Sequence, residues 1–213
     1  MNYIVGKIGS MVTGIAVLLF ALSMIISNSL FASCLSSMFI AIGFVPFMCG
    51  IYAVSKKTDH QALGFTGIVF TSIYAVIILL VYYAECTTVR MNTSLSQEAL
   101  SLVSYGYTGS LFFNYDLLGY AFMALATFIM GFLVEPSSRA DHIFRWMLWI
   151  HGIFFISCLV VPMFPIFTAG TSESLGDSTS ASIGAIILEG WCAYFFPICI
   201  LGYQYFNRKA QKR

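Results

Sequence analysis

Asn114 to Glu135 reads NYDLLGYAFMALATFIMGFLVE. It is apolar for about twenty residues, the length at which one α-helix crosses a bilayer core. Between its ends it carries one carboxylate, Asp116, just inside the expected first turn. Below Asp116 runs a helical stripe of small and polar residues: Gly119, Tyr120, Met123, Ala124, Thr127 and Gly131. Lipid does not require such a stripe, whereas a neighbouring helix or a cavity does. The segment therefore predicts a membrane helix packed among others, with Asp116 toward one end.

Composition points the same way. Of 213 residues, 59% are hydrophobic and 9% charged, against roughly a quarter charged in soluble domains. The formal net charge of +1 offers no electrostatic footprint for nucleic acid. Nowhere is there a polar stretch long enough for a separate soluble domain, so residues 1–213 read as a single transmembrane domain.

Five further spans flank the central one. The first covers roughly Ile4 to Ser27, too long for a secretory h-region and without an A-x-A-like site, so it reads as a retained helix. Gly6, Ser10 and Gly14 give it a small face. Leu30-Phe31-Ala32-Ser33-Cys34 resembles a lipoprotein box, but Phe31 stands where leucine is expected, and Cys34 reads as a loop cysteine. The second span, Phe31 to Val54, repeats small residues at Ser33, Ser37 and Ala41 and contains Pro46. The third, Gln61 to Glu85, aligns Gly64, Gly67, Thr71, Ala75, Ile78, Tyr82 and Glu85 on one face. In the polar connection Cys86 to Phe113, Ser94-Leu95-Ser96-Gln97 fits a capping box ahead of a short interfacial helix, Glu98 to Val103. Tyr105, Tyr107, Phe112, Phe113 and Tyr115 suit the headgroup level. The fifth span covers Ile143 to Phe167, with Pro162 and Pro165 loosening its end. A loop from Thr168 to Ser180 leads to the sixth, Ser182 to Phe206.

Lys7, Lys56, Lys57, Arg139, Arg145, Arg208, Lys209, Lys212 and Arg213 then fall at one end of the spans, and Arg90 alone at the other. By the positive-inside rule this predicts an all-α polytopic protein of six transmembrane helices with both termini cytoplasmic. A bacterial plasma membrane is the expected location.

Three carboxylates stand near the far, weakly basic end. Glu85 and Asp116 close the third and open the fourth span. Glu189 lies about seven residues, or ~10 Å, into the sixth. A carboxylate at that depth is costly, so a functional role is its default reading. The plain alternatives are a hydrogen bond to a neighbour for Glu189, an N-terminal cap for Asp116, and simple hydration for Glu85. With Tyr82 and Tyr120 on the same faces, these residues form a candidate ligand-binding group: Glu189, Asp116, Glu85, Tyr120 and Tyr82. His151 is expected ~14 Å from Glu189 in depth, so the two should not share a metal, and a hydrogen bond to a hydroxyl or carbonyl is its plainer role. Asp59-His60 and Asp141-His142 offer metal-ligand types, although each Asp also reads as a cap. The six cysteines show no CxxC spacing. No metal, cofactor or catalytic residue is expected. Asn92-Thr93-Ser94 is a glycosylation sequon.

The run Asn114-Tyr115-Asp116-Leu117-Leu118-Gly119-Tyr120, with Arg145-Trp146 and Ile150-His151-Gly152, resembles bacterial six-helix integral membrane proteins of unassigned activity. That resemblance implies a six-helix bundle and carries no activity with it. In size and topology the chain is also similar to the six-helix substrate-binding subunits of vitamin uptake transporters, an analogy of fold only. Three functions fit: binding or transport of a small solute through an outward-facing pocket; an accessory role beside a membrane partner protein; and a lipid- or isoprenoid-modifying enzyme using Glu189, Asp116 or His151 as acid or base. The lipid bilayer is the partner common to all three, and an enzyme is the least expected.

Overall fold

The computed structural model describes residues 1–27, 29–92, 94–107, 109–164 and 178–211, with side chains omitted at 27, 58, 161 and 178–185. Its elements are α-helices α1 (Asn2–Leu22), α2 (Leu30–Val54), α3 (Gln61–Ala84), α4 (Gln97–Val103), α5 (Leu111–Leu133), α6 (Arg139–His151), α7 (Phe154–Val160) and α8 (Ser178–Gln211). Short π-turns at Ser23–Ser27 and Glu85–Val89 extend α1 and α3. Among the described residues, six helical segments are long and apolar enough to cross a membrane, α6 and α7 counting together as the fifth, Arg139–Val160.

Each span packs on the next in sequence: α1 on α2, α2 on α3, α3 on α5, α5 on α6 and α7, and α6 on α8. The last helix closes the ring by packing on α1. α2 also touches α5 and so lies nearest the middle. Short connections between antiparallel neighbours give this order directly. The interior holds Phe44, Phe47, Met48, Ile51, Tyr74, Met123, Phe144, Phe195 and Phe206, all buried. Large apolar side chains cover the outside, among them Ile15, Leu18, Val69, Val76, Leu80 and Ile150. Lipid is the solvent that tolerates such a surface.

Small residues let the first two helices meet at backbone distance. A Cβ built on Gly9 would lie 2.3 Å from the Phe47 nitrogen, and one on Gly50 would lie 2.3 Å from the Gly6 Cα. The Gly6, Ser10 and Gly14 face does meet other helices: Gly6 sits under the Phe206 ring and Gly14 beside Cys199, while Ser10 is 1% exposed. On α3 the stripe from Gly64 through Tyr82 to Glu85 is buried throughout.

Several boundaries differ from expectation, with local reasons. α5 starts at Leu111 because Ser110 caps it, its side chain accepting from Phe113 N. Asp116 is thus in the second turn, beyond the free N–H groups that a cap serves. Ser96, not Ser94, caps α4 by accepting from Ala99 N; the Ser94 hydroxyl instead bonds Asn92. Asp141 does not cap α6 either: Ser138 does, and Asp141 follows in the first turn. Cys34 lies inside α2 rather than in a loop. The fifth span is broken at Gly152 and Ile153, and its second piece ends at Val160 before the 3-10 turn that contains Pro162. Pro165, the loop to residue 177, Thr93 of the sequon, Lys212 and Arg213 lie outside the described residues.

The bundle has two unlike ends. One carries the start of α1, the end of α8 and the α2–α3 and α5–α6 connections, and two of its carboxylates, Asp141 and Glu135, are paired with basic side chains. Asp141, fully buried, takes Arg208 Nη2 at 2.6 Å and Nε at 2.9 Å on one oxygen, and the Ser137 N–H and hydroxyl on the other. Glu135 accepts from Lys56 N at 2.6 Å and from Lys209 Nζ at 3.2 Å. We call this the basic end, and the opposite one the far end.

Candidate functional site

At the far end, α3 and α5 bring Tyr82 and Asp116 together. Both are buried, with the Tyr82 hydroxyl beside the Asp116 carboxyl. Tyr105, from the turn between α4 and α5, meets the Tyr82 ring edge-on at 5.4 Å. Asp116 Oδ1 is left with no partner, as is the nearby Tyr74 hydroxyl. None of the groups acting on Asp116 is a cation. A buried polar atom without a partner costs on the order of 1–3 kcal/mol, so this orphaned oxygen is the least explained group in the bundle. Tyr120, one turn further along α5, adds its ring at 5.8 Å from Tyr74.

Glu85 is neither solvated nor free. It is 4% exposed, and it accepts from the Tyr105 N–H with one oxygen and from the Ser104 hydroxyl at 3.4 Å with the other. It therefore ties the α4–α5 connection to the end of α3 and sets the position of Tyr105. A cavity of about 290 Å³ opens beside it, lined by Leu30, Phe31, Cys34, Glu85, Cys86, Val89, Arg90 and Ser104. The Arg90 guanidinium lies over the Phe31 ring at 4.1 Å.

Glu189 stands apart from this cluster. Trp191, two residues on, points inward: it stacks on Phe195 and meets Tyr120 at 5.3 Å. Two residues turn a helix by about 200°, so Glu189 points away from Tyr120. Its side chain is half-buried, with Oε1 lacking a hydrogen-bond partner.

His151 is fully buried at the end of α6. Its Nε2 receives Trp191 Nε1 at 3.1 Å, and its Nδ1 lies 2.8 Å from Thr127 Oγ1. Indole N–H only donates, so Nε2 is the acceptor and Nδ1 carries the proton. That proton goes to Thr127, whose hydroxyl passes its own to Ala124 O at 2.9 Å. Every hydrogen-bonding atom of the imidazole is satisfied in the neutral form. The expected separation of ~14 Å in depth between His151 and Glu189 is overturned here, since Trp191 is only about 3 Å along α8 from Glu189. The cause is the short fifth span and the early start of α8. Among the described residues, no three His, Cys, Asp or Glu side chains gather as a metal site.

Residue-by-residue reading did not single out Trp191, Thr127 or Tyr105 as hydrogen-bonding groups, or Tyr74 as an unpartnered one. Trp191 left a signal: a tryptophan in mid-span, away from the interfacial belt, needs a partner for its N–H.

No protein-family model, curated protein or solved structure matches the chain.

Proposed function

We propose that the far end of the bundle binds a small solute, with Asp116, Tyr82 and Tyr120 as its contact groups and Glu85 holding Tyr105 against them. The observation that carries this reading is the buried, unpartnered Asp116 Oδ1 beside the unpartnered Tyr74 hydroxyl. An orphaned acceptor calls for a donor, so the solute presents an N–H or O–H group or a positive charge, and the tyrosine faces suit a cation. Glu189 lies outside this innermost group. The basic residues at the other end support cytoplasmic termini and an outward-facing far end, so the protein takes or transports its solute from outside across a bacterial plasma membrane. An impermeant maleimide applied to intact cells should leave Lys57→Cys, in a cysteine-free variant, unlabelled; labelling would reverse the topology.

A thermal-stability screen of the purified protein tests the site. Small amines and quaternary ammonium ions should raise the unfolding midpoint, and carboxylates of equal size should not. Asp116→Asn should fold and lose that response. If the amines act equally on Asp116→Asn, or have no effect on the parent, the reading fails.

The accessory role draws on a different observation. His151, a buried ionisable group in mid-bundle, is wholly occupied by Trp191 and Thr127, which is what a packing device requires. The same occupancy speaks against His151 as the acid or base of an enzyme.

A further inference from the structure

Four of the six cysteines are scattered: Cys49 on α2, Cys158 on α7, and Cys192 and Cys199 on α8. The other two meet. Cys34 sits in the second turn of α2, and Cys86 in the π-turn that extends α3. Both thiols are free, on two elements packed against each other. They also line the same far-end cavity. They differ in access, Cys34 being 1% and Cys86 9% exposed. Apolar packing does not call for two thiols lining one cavity from two helices, and π-turns inside helices often mark functional positions.

We propose that Cys34 and Cys86 are a dithiol site that closes to a disulfide by exchange with an external small-molecule or protein disulfide. This inference does not depend on the solute reading. Cys86, the more exposed, reacts first as thiolate, at the cavity that Arg90 also lines. Its sulfur attacks one sulfur of the external disulfide R–S–S–R. The S–S bond breaks, a Cys86–S–S–R mixed disulfide forms, and one RS⁻ leaves. Cys34 then loses its proton and attacks the Cys86 sulfur, forming Cys34–S–S–Cys86 and releasing the second RS⁻. Both leaving thiolates take up the protons given by the two cysteines. The balance is two protein thiols plus R–S–S–R to one protein disulfide plus two R–SH: the cysteines are oxidised and the external disulfide reduced. The new bond staples α2 to the end of the third span, beside Glu85.

The full-length protein, purified in detergent and first reduced, is incubated with oxidised glutathione. It is then denatured, capped with N-ethylmaleimide, and digested without reductant for mass spectrometry. Two of the six thiols should escape capping, and one linked peptide pair should join Cys34 to Cys86. Cys34→Ser should accumulate the glutathione mixed disulfide on Cys86. Oxidation should raise the thermal midpoint of the parent by on the order of 5 °C, an increase that reductant reverses. Capping of all six thiols after oxidation, or a link between another pair, overturns the proposal. The parent's peptide map decides this even where the serine variant does not fold.

Discussion

Trp191 Nε1 donates to His151 Nε2 at 3.1 Å, across the interface of α8 and α6. Because Thr127 holds the other imidazole nitrogen, the bond fixes one tautomer and joins three helices through one neutral ring. Trp191→Phe keeps the stack on Phe195 but strands Nε2, and Thr127→Val strands Nδ1–H. Each should cost about 1–2 kcal/mol, the scale of interhelical hydrogen bonds in membranes and of stranded polar atoms. The two losses should not add, since both act on one ring. Denaturation of the two variants and their double mutant measures this. Nitrogen NMR of labelled His151 should show a proton on Nδ1 in the parent; a proton on Nε2 would overturn the assignment.

The contact between α1 and α2 makes a sharper prediction. At Gly9 and Gly50 an added Cβ would fall 2.3 Å from backbone atoms of the facing helix. Backbone cannot rotate away as a side-chain tip can, so the helices must separate. Gly9→Ala and Gly50→Ala should each destabilise the protein by about 2–3 kcal/mol, in the range of overpacked cores. Gly190 is the control, since a Cβ there meets nothing within 4 Å. Gly190→Ala should be neutral or gain up to about 1 kcal/mol from helix propensity. Equal effects at all three positions would mean that the packing of α1 on α2 is not as described.

These cases mark what the residues alone disclose. Apolar length and the basic bias made the six spans legible, because both are summed over many residues. The buried faces of α3 and α5 were legible too: small residues recurring at helical spacing leave few other readings. What failed was local and depended on partners. Ser110 and Ser96 won the caps from Asp116 and Ser94 through loop geometry that no spacing rule contains. The break at Gly152 shortened the fifth span and brought His151 level with Trp191, a register between helices that single-helix counting cannot supply. Glu189 drew attention for its depth, yet rotation about α8 turns it from the tyrosines, whereas Asp116 gained weight once burial removed its role as a cap.

The last prediction concerns pH at the basic end. Burial alone would raise the Glu135 carboxyl, but the Lys56 N–H and the Lys209 ammonium outweigh it and hold the group below its ordinary value of 4.5. A carboxyl whose pKa is depressed by folding stabilises the fold while ionised. That contribution is therefore complete above the unfolded-state value of 4.5 and fades as acid takes the pH down through the lower, folded-state value. Glu135→Gln removes the titrating charge and keeps an acceptor for Lys56. The parent should exceed this variant in thermal midpoint at pH 6 to 7, by a small margin because the Lys209–Glu135 pair is 15% and 24% exposed and such pairs are screened. As the pH falls from 4.5 through the lower folded-state value, the two midpoints should converge. Lys209→Met should show the same convergence, as it removes the other half of the pair. A margin that stays constant or widens on acidification would show that Glu135 is not stabilised by its cationic neighbours, and the reading of the basic end as a set of paired charges would fail with it.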